Sequence, residues 1–340
     1  MILKENERLD LHTTLRTGGP ARFFVEAKTD DELREAITFA RGRGWPTFVL
    51  GGGSNVLASD DGFDGVVVKM ATHGMRTESP AADVVEVVAQ AGEEWDTLVA
   101  FAVARGLAGL ENMSLIPGSV GAAVVGNIGA YGSEVKDALV WTQALDMRTG
   151  LIRRFASEEC GFAYRRSFFK TTEGRNYIVT QAAFALKTHG AVNAAYRDVQ
   201  ELLATRGVIA PTLAQMREAV IEIRRRKLPD LARIGTAGSF FKNPVIPRRA
   251  YERLAARYPQ LPGHDEGNGL VKVPLGWILD RVCGLKGVRR GRVGTHVEQA
   301  LVIVNDGGTS QEVEAFAHEI AEAVRENTSL AIEWEVERVG

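Results

Sequence analysis

The chain has 340 residues, 45% of them hydrophobic and 25% charged, with a formal net charge of -2, the balance of a soluble globular protein with room for two or three domains. So small a charge gives no electrostatic reason to expect nucleic acid or a membrane surface as partner. The N-terminal MILKENERLDLHTT lacks an apolar core, no run of about 18 apolar residues occurs, and Cys160 and Cys283 belong to no CxxC pair. A cytoplasmic protein with reduced thiols and no metal site is expected.

Thr29-Asp30-Asp31-Glu32 has the form of a capping box, and Leu33, Ala36, Ile37 and Ala40 follow at helical spacing until Gly42 and Gly44. Thr47–Leu50 reads as a short buried strand feeding Gly51-Gly52-Gly53-Ser54-Asn55, and 65–70 as a strand after a DDGFDG turn. Together they suggest a β–α–β unit of roughly 45 residues, without the helix that a Rossmann fingerprint needs after its glycines. Val84–Gln90 is a further strand. A helix follows, with Trp95, Leu98, Val99, Ala102 and Val103 on one face and a stop at Gly106.

Residues 109–132, GLENMSLIPGSVGAAVVGNIGAYG, are too poor in large side chains for a core strand or stable helix. With the triple glycine they read as loops that bring backbone N–H groups close to a bound anion such as a dinucleotide pyrophosphate, or as tight connections between strands. Strands at 138–146, 151–155 and 177–186 suggest a second sheet. Thr212, with Gln215 three later, opens a helix carrying Leu213, Met216, Val220 and Ile223 and ending in Arg224-Arg225-Arg226-Lys227. Beyond Pro229, helices near 247–257, 275–283 and 309–326 and a strand at 300–305 make a compact α/β unit. Residues 330–339 alternate, with Leu330, Ile332, Trp334 and Val336 facing one way and Glu333, Glu335 and Glu337 the other, the pattern of a strand with a solvated edge.

VLGGGSNVL (49–57), GLENMSLIPGSVGAA (109–123), NIGAYG (127–132), YRRSFFK (164–170) and GSFFKNP (238–244) together resemble the UDP-N-acetylenolpyruvoylglucosamine reductase family. Five separated motifs in the family's order cover nearly the whole chain. The resemblance implies an α+β protein: a two-part FAD-binding fold of the vanillyl-alcohol-oxidase-like flavoproteins plus a compact α/β substrate-binding domain. It assigns 1–70 to a first FAD-binding subdomain, 71–227 with 328–340 to a second, and 228–327 to the substrate domain. The implied cofactor is noncovalent FAD, with NADPH as reducing cosubstrate and UDP-N-acetylglucosamine enolpyruvate as substrate. The protein is expected to act as a monomer.

Carried over residue by residue, the resemblance makes Arg165, Ser239 and Glu335 catalytic. Hydride passes from flavin N5 to the vinyl carbon, Arg165 and Glu335 stabilise an enolate-like species, and Ser239 supplies the proton. It places FAD on Gly51, Gly52, Gly53, Ser54, Asn55, Pro117, Gly118, Ser119, Gly121, Ala122, Asn127, Ile128 and Gly129. Substrate falls to Tyr131, Tyr196, Arg224, Lys227, Asn243 and Gln299, with Tyr196 in a loop that one family subtype carries. The chain departs from that subtype at Val124-Val125-Gly126, where a proline and a glutamine are usual. By residue type alone, Arg165 reads as a solvated loop cation, Ser239 as a turn residue, Arg224 and Lys227 as helix-end cations, and Gln299 as a strand-end amide. Two other functions fit the pattern: a flavin-dependent sugar or alcohol oxidase of the same fold, and a sugar-nucleotide-binding protein without turnover.

Overall fold

The computed structural model describes residues 1–340. The chain forms two units, one from residues 1–7, 21–53 and 64–225 and the other from 8–20, 54–63 and 226–340.

In the first unit, β1 (Leu3–Arg8), β2 (Pro20–Ala27), α1 (Asp30–Arg41) and β3 (Thr47–Leu50) come first in the chain. β4 (Val56–Ala58) lies in the second unit, and β5 (Phe63–Met70) returns to complete a sheet of order β1-β2-β5-β3. β3 and β5 pair in parallel, Thr47 opposite Val66 and Leu50 opposite Lys69. The Thr29 hydroxyl accepts the Glu32 N–H at 3.1 Å and starts α1, and the helix buries Leu33, Ala36, Ile37 and Ala40 as its spacing predicts. The helix-linked strands are therefore β2 and β3, with β5 between them; Pro20, Arg22 and Glu26 had masked β2 in the sequence.

The second sheet is antiparallel, in the order β11-β10-β12-β7-β6. In chain order its surroundings are β6 (Met75–Ala81), β7 (Val84–Gln90), α2 (Trp95–Ala104), α3 (Val120–Gly126), the small hairpin β8 (Gly129–Ala130) and β9 (Ser133–Glu134), then β10 (Leu139–Asp146), β11 (Ile152–Ala156) and β12 (Tyr177–Lys187). α2 packs the fully buried Trp95 edge-on to Phe184 of β12, with ring centroids 5.7 Å apart. Removing a buried aromatic of this size typically costs about 3–5 kcal/mol. α4 (Arg197–Thr205) and α5 (Leu213–Lys227) form a satellite core of Val199, Leu203, Met216, Ala219, Val220 and Ile223.

α3 corrects the expectation that 109–132 holds no helix. Ser119 caps it, and Val120, Ala123 and Val124 are buried. Tertiary burial overrides the weak helix propensity of glycine and valine here.

In the second unit β13 (Gly235–Ser239), β14 (Val245–Pro247), α6 (Arg248–Arg257), β15 (His264–Gly267), β16 (Leu270–Lys272), α7 (Leu275–Arg281), β17 (Arg289–Arg290), β18 (Val293–Thr295), β19 (Val302–Asn305), α8 (Ser310–Thr328) and β20 (Glu337–Val339) follow in turn. They form a sheet β13-β19-β18-β17 and a smaller one β14-β16-β15. α8 lays Val313, Phe316, Ala317, Ile320 and Val324 into the core, and Asp60 accepts the Ser310 N–H at its first turn at 2.8 Å.

The alternating segment 330–339 is not one strand. Only β20 pairs regularly, in parallel with β4. Residues 333–335 run beside 240–242 through two hydrogen bonds, Lys242 N–H to Glu333 C=O and Glu335 N–H to Phe240 C=O, each 2.9 Å. Leu330, Ile332, Trp334 and Val336 do pack on the core as their alternation implies.

Candidate active site

Two glycine turns meet in the first unit. A Cβ on Gly52 would lie 2.8 Å from the Gly118 Cα, and one on Gly51 2.6 Å from the Ser119 Oγ, so only glycine permits this approach. The loop is templated by the start of α2. Gly118 C=O accepts the Trp95 N–H at 3.0 Å, while Val120 and Gly121 donate to the carbonyls of Glu93 and Ala91, both at 2.9 Å. The Trp95 indole donates to Met113 C=O at 2.9 Å, so one core residue holds the loop on both sides of Pro117. Gly118 (+122°) and Gly132 (+83°) take positive φ. Gly121 and Gly129 have ordinary torsions, and their role is close packing, with Cβ atoms 2.9 Å from Ala91 Cβ and 2.7 Å from Ser133 C=O.

Ser119 caps α3 toward Ala122, and the helix ends on Asn127 at φ +42°. The buried Asn127 amide is used within the protein: it donates to Glu134 and Ala163 C=O, both 3.0 Å, and accepts the Lys136 N–H at 3.1 Å. Ile128 N–H closes onto Ala123 C=O at 3.1 Å. At the departure from the family pattern, Val125 C=O accepts the Ser167 hydroxyl at 2.7 Å.

Arg165 stands at the corner of a tight turn closed by reciprocal 3.0 Å bonds between Ala163 and Arg166, with φ +54°. Its guanidinium donates to Gly129 C=O at 2.8 Å and to Asn127 C=O at 3.5 Å, which ties it to the loop after α3. Arg166 is exposed. Tyr131 and Tyr196 meet edge to face, 5.1 Å between centroids. Burial pushes the Tyr131 phenol up to about 12 against the pull of Arg224, and burial also raises Tyr196, with Asp198 adding to it. Both are neutral hydrogen-bonding groups near pH 7. Burial lowers Arg224 from its ordinary value, opposed by Tyr131 and Asp96, and its Nε donates to Leu115 C=O at 3.2 Å.

In the second unit Ser239 ends β13 opposite Val302, just after Gly238 at φ +72°. The next residue, Phe240, accepts the Glu335 N–H, so Glu335 sits one residue across from Ser239 although the two are distant in sequence. Asn55 fixes that backbone. Its amide donates to Glu335 C=O and its own carbonyl accepts the Glu337 N–H, both 3.0 Å, while Ser54 beside it is half-buried. Asn243 Oδ1 accepts the Leu275 N–H at 2.9 Å. Gln299 Oε1 lies where a Cβ on Gly276 would be, 2.8 Å away, and accepts the Leu301 N–H at 3.3 Å; the strand-end use is real and coexists with its place beside α7. Lys227 ends α5, its carbonyl bonded by the ring of His296.

Residues 21–156 match the FAD binding domain family and 229–339 the UDP-N-acetylenolpyruvoylglucosamine reductase, C-terminal domain, family. The UDP-N-acetylenolpyruvoylglucosamine reductase of Pseudomonas aeruginosa is 42% identical over 332 residues, 97% of each chain. This chain belongs to that reductase family. The Chromobacterium violaceum member is 44% identical over 98% of both chains. The crystal structure of the Thermus caldophilus reductase superposes with a TM-score of 0.70 at 27% identity, covering 100% of each.

The cradle of this reductase suits FAD. Its two turns pack backbone against backbone with no room for a Cβ at Gly51 or Gly52, and neither 51–55 nor 116–122 contains a carboxylate or a histidine, which suits a noncovalently held diphosphate. Sequence reading missed Asn112 of the reductase. Its amide donates to Tyr131 C=O and Asn193 C=O, both 2.8 Å, and so ties the two tyrosine-bearing segments together. Its place within the GLENMS motif was the available signal.

Proposed function

We propose that this chain is an FAD-dependent reductase that uses NADPH to convert UDP-N-acetylglucosamine enolpyruvate to UDP-N-acetylmuramate in peptidoglycan precursor synthesis, as a cytoplasmic monomer. The observation that carries it is the pairing of Glu335 with Phe240, which sets a carboxylate-bearing residue beside Ser239 in a chain related end to end to named reductases. When bound, FAD supplies the hydride chemistry, accepting two electrons from NADPH and passing them to the enolpyruvyl double bond.

The protein's part is positioning, charge stabilisation and proton supply. The Arg165 guanidinium, anchored on two loop carbonyls, meets the substrate carboxylate and stabilises the negative charge that grows there. Glu335 helps orient the same end. The Ser239 hydroxyl gives a proton to the carbon bearing the ether oxygen, while the terminal carbon receives the hydride, so the double bond becomes a lactyl group. Lys227, Asn243 and Tyr196 take the diphosphate, and Tyr131, Arg224 and Gln299 the rest of the sugar nucleotide. Residues 228–327 serve as the substrate-binding domain, with 1–70 and 71–227 plus 328–340 as the two FAD-binding subdomains. Anaerobic NADPH should bleach the yellow protein, and the enolpyruvyl substrate should restore the colour; reoxidation by oxygen alone would favour an oxidase.

Tyr196 is 45% exposed with its ring against Tyr131, so Tyr196→Phe keeps the ring contact and removes one donor. A hydrogen bond to a charged acceptor is worth about 1.5–3 kcal/mol. Calorimetric titration should show substrate binding weakened by roughly 10–100-fold with FAD content unchanged; lost FAD with intact substrate binding would place this loop on the cofactor instead.

A further inference from the structure

Leu115 holds a left-handed conformation, φ +58°, which a leucine adopts only when its surroundings impose it. Two groups grip its peptide. The Asp96 carboxylate accepts the Leu115 N–H at 2.5 Å, and the Arg224 Nε donates to the Leu115 carbonyl at 3.2 Å. Asp96 is itself held by a two-pronged bond from Arg217, 2.7 and 2.8 Å. Arg217 and Arg224 are seven residues apart on α5, two turns, and so reach the same loop from one helix face. The pair is shielded, with side-chain exposures of 28% for Asp96 and 16% for Arg217. Burial alone would raise the Asp96 carboxyl, but Arg217, the Leu115 N–H and Arg224 outweigh it and hold it below its ordinary value.

We propose that Asp96 and Arg217 are positioning residues: by fixing the left-handed Leu115 peptide they set the register between the Ile116-Pro117-Gly118 edge of the FAD cradle and the Arg224 guanidinium. The inference rests on the cofactor reading above. Leu115 leads directly into that edge, and its carbonyl fixes one of Arg224's donors. With an amide in place of the carboxylate, the acceptor of the Leu115 N–H loses its charge and one Arg217 donor faces an NH2 group, so the side chain no longer grips the peptide, which relaxes toward extended backbone. Cofactor retention and substrate affinity then fall together, although neither Asp96 nor Arg217 touches either ligand.

The test uses FAD-loaded wild-type protein, Asp96→Asn, Arg217→Lys and the double variant Asp96→Asn/Leu115→Gly. FAD loss after dilution is followed by free-flavin fluorescence, with KM, kcat and Tm measured on the same samples. Asp96→Asn should release FAD about tenfold faster and raise the enolpyruvyl-substrate KM by about 5–20-fold, while kcat per bound FAD stays within about twofold. Leu115→Gly should return FAD release to within about threefold of wild type, because glycine keeps the left-handed turn unaided. Arg217→Lys, which keeps the charge but loses the fork, should show the same pattern more weakly, and it carries the test if Asp96→Asn fails to fold. A lowered Tm with unchanged FAD release and KM, or no recovery with glycine, would reduce the pair to a helix-packing contact and overturn the proposal. Wild-type protein that holds no FAD would overturn the cofactor reading, and this inference with it.

Discussion

Ser239→Ala is expected to leave bleaching by NADPH at close to the wild-type rate and to slow the return of colour with the enolpyruvyl substrate by about 10²–10⁴-fold. That is roughly 3–5 kcal/mol of barrier. Ser239 ends β13, is half-buried and keeps its backbone pairing with Val302 whatever the side chain, so alanine should not disturb the fold. A turn residue would leave both half-reactions intact. A general acid is needed only in the second, since its proton goes to substrate carbon. Ser239→Cys should keep more activity than alanine because a thiol can also donate. Stopped-flow absorbance resolves the two halves; equal slowing of both, or none of reoxidation, would remove Ser239 from the proton path.

The same residue shows how far the sequence reached. Helices with a clean apolar stripe, such as α1 and α5, are found within about a residue of their expected ends. The stripe is a direct record of the face that is buried. Residues 330–336 record the face equally well and mislead about the hydrogen bonds, because alternation says nothing about whether a partner strand exists. Their partner is the short stretch 240–242 and no more. That stretch is nevertheless what sets Glu335 beside Ser239.

Other parts of the site depend wholly on tertiary partners. Gly121 reads in the sequence as one more glycine of a loop, and only the approach of Ala91 shows that it is there for space. Asp96 on α2 and Asn112 in the loop are ordinary polar residues until Arg217, Leu115, Tyr131 and Asn193 are placed around them. No local pattern specifies such partners.

Arg165 gives the second large effect, and there backbone and side chain pull in opposite directions. A non-glycine residue in a sparsely populated conformation costs about 1–3 kcal/mol, and Arg165 carries φ +54° in its turn. Arg165→Gly should therefore relieve the backbone. It also deletes the bonds to Gly129 and Asn127 carbonyls, so a folded protein with Tm near wild type is expected. If the arginine were only a loop cation, this variant would be as active as the parent. If it holds the substrate carboxylate, losing the donor that meets developing charge should lower the second half-reaction by about 10²–10³-fold, with NADPH still bleaching the flavin. Arg165→Lys keeps the positive charge and the torsion but cannot span two loop carbonyls and a carboxylate with one ammonium. It should fall between glycine and wild type, mainly through a raised substrate KM. Half-reaction rates together with Tm decide the matter: a glycine variant that matches wild type in both halves would return Arg165 to the role of a turn residue.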